Sequence, residues 1–88
     1  MEVFIVHNNP ECLSKIPFSK YTCQFRFIDS GTYKGKKEAK RFKNQYSAKL
    51  EPFIVILDNN KPIKAFYTEA EDVINSLIKY LNNESTSN

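Results

Sequence analysis

The run Phe53-Ile54-Val55-Ile56-Leu57 is continuously apolar rather than alternating, the signature of a strand buried on both faces of a sheet. Glu51-Pro52 introduces it, Asp58-Asn59-Asn60-Lys61 turns it, and Pro62 to Tyr67 brings the chain back. Asp and Asn tolerate positive φ, which a tight hairpin turn requires. Pro62 is harmless if the returning strand lies at an edge. Upstream, Val3-Phe4-Ile5-Val6 is a short β-branched run and predicts a buried strand ending near His7. Asn8-Asn9-Pro10 ends it. Asn9 as cap and Pro10 in the first turn then predict about two turns of helix over 11–19, which Pro17 keeps short. Tyr21, Cys23, Phe25 and Phe27 alternate with other residues, so this stretch reads as a strand with one better-buried face.

Helical periodicity appears twice. From about Gly35 to Lys49 the residues are helix formers, with Ala39, Phe42, Tyr46 and Leu50 on one face and lysines on the other. Thr68-Glu69-Ala70-Glu71 has the pattern of a capping box, and the helix it would open buries Val73, Ile74, Leu77, Ile78 and Leu81. Residues 82–88 are small and polar and predict a flexible C-terminal tail after a single domain over 1–81. The fold class is therefore α/β. The first two strands are parallel, the last two form a hairpin, and helices cover both faces of a four-stranded mixed sheet.

At 88 residues the chain can bury one core. Two cysteines, Cys12 and Cys23, are too few for a disulfide scaffold, and no segment has the length or apolarity of a signal sequence or membrane span. The expected setting is cytoplasmic, with reduced thiols. The net charge is +3, yet residues 31–50 carry seven basic side chains against Glu38 alone, a local +6. Such asymmetry bears on partners rather than on fold. Richness in Lys, Asn and Ile fits an A/T-rich genome such as that of a phage or mobile element.

The element order resembles the thioredoxin fold in its minimal, glutaredoxin-like form, with the first helix shortened. In that superfamily a cis-proline precedes the third strand, and Glu51-Pro52 stands at that place. The approach Val3 to Cys12 resembles the approach to a redox cysteine. Where active members carry Cys-x-x-Cys or Cys-x-x-Ser, this chain has Cys12-Leu13-Ser14-Lys15, so the resolving cysteine is replaced by Lys15. The resemblance implies a divergent member that lacks the dithiol.

Several residues could carry function. Cys12 at a helix N-terminus, near Lys15, would be the nucleophilic thiolate of a monothiol oxidoreductase, with glutathione as the resolving thiol. It could equally be a semi-buried loop residue. Cys23 reads as a core thiol, and His7 as a strand-end residue or an assistant to the thiol. These residues do not make a metal site, and no resident cofactor is expected. Lys36, Lys37, Lys40, Arg41 and Lys43 could meet phosphates or an acidic surface, or simply keep the helix solvated.

The leading expectation is a binding module without redox activity that engages a macromolecule, foremost a protein. Contact would be made through the surface of Pro10–Lys15 with Glu51 and Pro52, or through the basic helix at 34–43. The monothiol enzyme is the alternative, and nucleic-acid binding through the basic helix is the third reading. No membrane association is expected.

Overall fold

The continuous apolar run lies at the centre of the sheet. In the computed structural model, which describes residues 1–86, β1 (Glu2–His7), β2 (Gln24–Asp29), β3 (Phe53–Asp58) and β4 (Lys61–Tyr67) form one sheet in the order β2-β1-β3-β4. β1 runs parallel to β2 and antiparallel to β3, and β3 pairs antiparallel with β4. Phe53, Ile54, Val55 and Ile56 are all fully buried because β3 has a strand on each side and packed layers above and below. Asn59 and Asn60 both adopt positive φ, 53° and 65°, as a two-residue hairpin turn demands. Pro62 falls on the edge strand, where Leu57 pairs with it through a register shift that bulges out Ile63.

Two helices fill the two faces. α1 (Tyr33–Gln45) lies over Val6, Ile28, Phe53 and Val55, and its Ala39 completes that cluster with Ala48. Phe42 stacks on Phe4 at 5.4 Å between ring centroids. α2 (Val73–Thr86) covers the other face, where Val73, Ile74, Leu77 and Leu81 pack on Val3, Ile5, Ile54, Ile56 and Phe66. Alternation along β1 and β3 sends neighbouring residues to different clusters, so the sheet is the shared wall of two cores.

Several boundaries differ from those expected. The segment after β1 forms no α-helix but two 3-10 turns, Pro10–Leu13 and Phe18–Lys20. Asn9 caps the first, its side chain accepting from the Glu11 N–H at 3.0 Å, and Leu13 and Ile16 plug the core. β2 starts at Gln24 rather than Tyr21, and Phe27 remains 49% exposed. The physical reason is its place on the outer strand of the sheet, where Phe18 gives it an edge-on ring contact.

α1 ends before Leu50, which is exposed. Ser47 takes the left-handed conformation at φ 58°, and two reverse hydrogen bonds close the end, Ala48 N–H to Lys43 O and Ser47 N–H to Asn44 O. Thr68 to Glu71 is a turn, not a capping box. Asp72 caps α2 instead, accepting from the Asn75 N–H. α2 also continues through Thr86, past the expected limit at 81. Asn82 is tied down there by the Tyr21 hydroxyl at 2.7 Å and by the Lys20 ammonium. Residues 87 and 88 of the expected tail lie outside the described residues.

Candidate functional site

Parallel and antiparallel pairing brings four strand ends together: the C-terminal ends of β1, β2 and β4 and the N-terminal end of β3. The loop over 46–52 enters β3 at this end, and its Glu51–Pro52 bond is cis. Extending the Val6–Phe53 register by one residue sets His7 across from Pro52.

Every neighbouring element holds this loop. The Thr68 hydroxyl, just past β4, donates to the Pro52 carbonyl. The Glu69 carboxylate accepts from the backbone N–H groups of Lys49 at 3.2 Å and Leu50 at 3.0 Å. The Tyr67 hydroxyl donates to the Tyr46 carbonyl at 2.9 Å and pins the end of α1 beside β4. Ser30, past β2, donates its N–H to the His7 carbonyl at 2.8 Å and its hydroxyl to Glu51 Oε1. The other oxygen, Glu51 Oε2, receives Lys43 Nζ at 2.7 Å, and the two side chains are only 11% and 21% exposed.

Lys43 is thus the link that the sequence did not disclose. It fastens the basic helix to Glu51, the residue before Pro52, so that this part of one expected surface adjoins the other. Ser30, Lys36, Ala39, Lys40, Lys43, Asn44, Ala48, Lys49 and Glu51 line an open groove of about 440 Å³. Beyond the crest of α1, Lys34, Lys37, Glu38 and Arg41 border a second hollow of about 280 Å³. Of these cations Lys43 forms a salt bridge with a carboxylate, and the Lys49 charge acts on the Glu69 carboxylate. Cys12 and Lys15, by contrast, do not line the groove.

The environment of Cys12 is poorly suited to a thiolate. A four-residue 3-10 turn lacks the aligned dipoles of a full helix, and the Cys12 N–H is used within the turn, donating to the Asn9 carbonyl. Burial pushes the Cys12 thiol above its ordinary range, and a backbone hydrogen bond opposes this only in part. Cys23 is raised for the same first reason. Both are free thiols of intermediate exposure, packed against the core on the α2 face. His7 is 4% exposed, its Nδ1 lacks a hydrogen-bond partner, and its ring meets Phe27 edge-on at 6.4 Å. Among the described residues no group of acidic, His and Cys side chains could hold a metal ion, and no helix is long and apolar enough to cross a membrane.

Ser30, Thr68 and Glu69 belong to the site without having been anticipated. Ser30 stood in an apparent break and Thr68 in an apparent helix cap. Glu69 carried no local signal, because its partners lie 19 and 20 residues away. Desolvation works to raise its carboxyl, but the donated backbone hydrogen bonds and the Lys49 charge prevail and hold it below the usual carboxylate range. A depressed folded-state pKa stabilises the fold above the unfolded value and loses that contribution as pH falls through the folded one. Glu69→Gln is therefore expected to lower the melting temperature near pH 7, with the gap to the parent protein closing below about pH 4. A gap that stays constant across this titration would mean the carboxylate charge does not hold the loop.

No protein-family model and no curated protein matches the chain. Among solved structures it is similar to thioredoxin 1 from the thermophilic eubacterium Thermosipho africanus, at 23% identity and a TM-score of 0.59, covering 97% of this chain and 99% of that one. The likeness is one of backbone architecture over nearly the whole length of both chains, and by it this chain has the thioredoxin fold.

Proposed function

We propose that the chain is a thioredoxin-fold binding module without dithiol exchange, engaging a negatively charged macromolecule where the lysines of α1 meet the Pro52 loop. One observation carries the reading: Lys43 and Glu51 join the basic helix to the loop, so that Lys36, Lys40 and Lys49 border a single groove beside it. A fixed loop next to a cluster of exposed cations is a built surface for binding, since clustered lysines raise the local concentration of anions. The sequence supports the same reading, because Lys15 occupies the place of a resolving cysteine. The upward shift of the Cys12 thiol also works against nucleophilic exchange near neutral pH.

Two measurements test the proposal. In turnover of a glutathione mixed disulfide, the purified protein is expected to show no catalysis that Cys12→Ser removes. Efficient, Cys12-dependent turnover would replace the binding module with a monothiol enzyme. Titrated with heparin as a generic polyanion, the amide resonances of residues 30, 36–44 and 48–51 are expected to shift together. Shifts confined to residues 10–15 would move the binding surface to the other end of the site.

A further inference from the structure

We propose that the polyanion recognised by this groove is duplex nucleic acid, held by its phosphate backbone without reading of sequence. The inference rests on the binding-module reading and adds the class of partner.

Charge density is the first argument. Lys34, Lys36, Lys37, Lys40, Arg41 and Lys43 lie within α1, and Glu38 is the one acidic residue among them. Lys43 is neutralised by Glu51, and the other five cations less Glu38 leave a net of about four charges over the roughly 10.5 Å from Lys34 to Arg41, at about 1.5 Å of rise per residue, or about one positive charge per 2.6 Å of axis. Duplex DNA presents one negative charge per about 1.7 Å. The two line charges are comparable, whereas protein surfaces intersperse both signs.

Residue type is the second. Five of the six are lysine, a residue depleted from protein–protein interfaces, where arginine is preferred. Lysine serves phosphates well as a point charge on a flexible stem and needs no fixed geometry. The third argument is placement. Ala39 is the one buried residue of α1, so the exposed side of the helix presents cations over a broad arc. Lys36 and Lys40 border the larger groove, and Lys34, Lys37 and Arg41 the smaller one. The polar side chain of Asn44 also lines the larger groove. A strand of phosphates lying along α1 would meet cations on both sides of the crest. Nothing in that arrangement selects a base.

The test is fluorescence anisotropy of the full chain with labelled 20-base-pair duplexes, two unrelated DNA sequences and one RNA, between 20 and 200 mM salt. With about four phosphates neutralised, the slope of log K against log salt should be about −3.6, a loss of roughly 100-fold between 50 and 200 mM. The two DNA sequences should bind within about threefold of each other. The double variant K36Q/K40Q removes two exposed charges away from the Lys43–Glu51 pair, and the slope should become shallower by about 2. K61Q/K79Q removes the same charge elsewhere on the surface and should leave the slope unchanged. Binding of either the DNA or the RNA duplex with this pattern supports the proposal.

Equal loss in both double variants overturns it, because attraction would then follow net charge alone. A single strand that binds more tightly than its duplex overturns it as well. If poly-glutamate binds in a K36Q/K40Q-sensitive manner while no duplex does at 20 mM salt, the nucleic-acid inference fails and the binding module stands. Retention by anionic phospholipid vesicles without duplex binding has the same effect. If no polyanion binds at 20 mM salt, both readings fall.

Discussion

Gly35→Ala is expected to destabilise the protein by about 3 kcal/mol, the upper range for forcing extra volume into a packed site. In an exposed helix this substitution ordinarily gains up to about 1 kcal/mol, so the prediction is one of sign as well as size. An added β-carbon would lie 2.0 Å from the Asp29 carbonyl oxygen and 2.7 Å from Thr32 Oγ1. Neither neighbour can retreat cheaply. The Thr32 hydroxyl donates to that same Asp29 oxygen at 2.9 Å and accepts from the Gly35 N–H at 3.0 Å, capping α1 against the end of β2. Opening this contact would tilt the basic helix off the sheet. Gly31→Ala is the control, because its β-carbon would meet a side-chain oxygen of Asp29 at 3.1 Å and backbone only at the ordinary contact distance of 3.8 Å, from the Asn8 carbonyl oxygen. Thermal melts should fall by about 15 °C for the first variant, given 4–8 °C per kcal/mol for a domain of this size. Equal, small shifts in both would show that α1 is not seated on the Asp29 carbonyl.

Glu51→Ala is expected to cost about 2 kcal/mol. The loss leaves the Lys43 ammonium mostly out of water with no counter-charge, and takes the acceptor from the Ser30 hydroxyl. A fully buried pair loses about 3–5 kcal/mol when one partner is removed. Lys43 retains 21% side-chain exposure and a flexible stem that can turn toward solvent, which places the expectation lower. Lys43→Met keeps the alkyl stem and the Ser30 donor but strands the Glu51 carboxylate, and should cost a similar amount. The double variant should recover part of the sum, giving a coupling of about 1 kcal/mol. If denaturant midpoints show the two substitutions to be additive, Lys43 and Glu51 are neighbours without being partners.

The hairpin around β3 was legible from a short stretch of chain, because its determinants are local. An unbroken apolar run needs cover on both faces, and Asn59 and Asn60 accept the positive φ of the turn. The parallel pairing of β1 and β2 followed from connection length. The segment over 10–20 was harder to read, since Pro10 fits a helix start and Pro17 a stop, and only packing decides that short 3-10 turns suffice. Thr68 misled for a definite reason. Its spacing to Glu71 matches a cap, but the Pro52 carbonyl, brought close by the strand pairing, claims the hydroxyl. The site followed the same rule. Lys36, Lys40, Lys43, Glu51 and Pro52 could each be singled out in the sequence, but that Lys43 reaches Glu51 depends on where Ser47 stops the helix and how the chain then turns back.

The displaced register at Ile63 bears on how molecules of this protein meet one another. β4 is an outer strand, and its unpaired backbone groups could template a neighbour's strand. Pro62 removes one donor from that rim, the bulge twists it locally, and Lys61 and Lys64 add like charge to any approaching copy. Edge-to-edge stacking into fibrils is thereby disfavoured on this side of the sheet, and the protection is written in four consecutive residues.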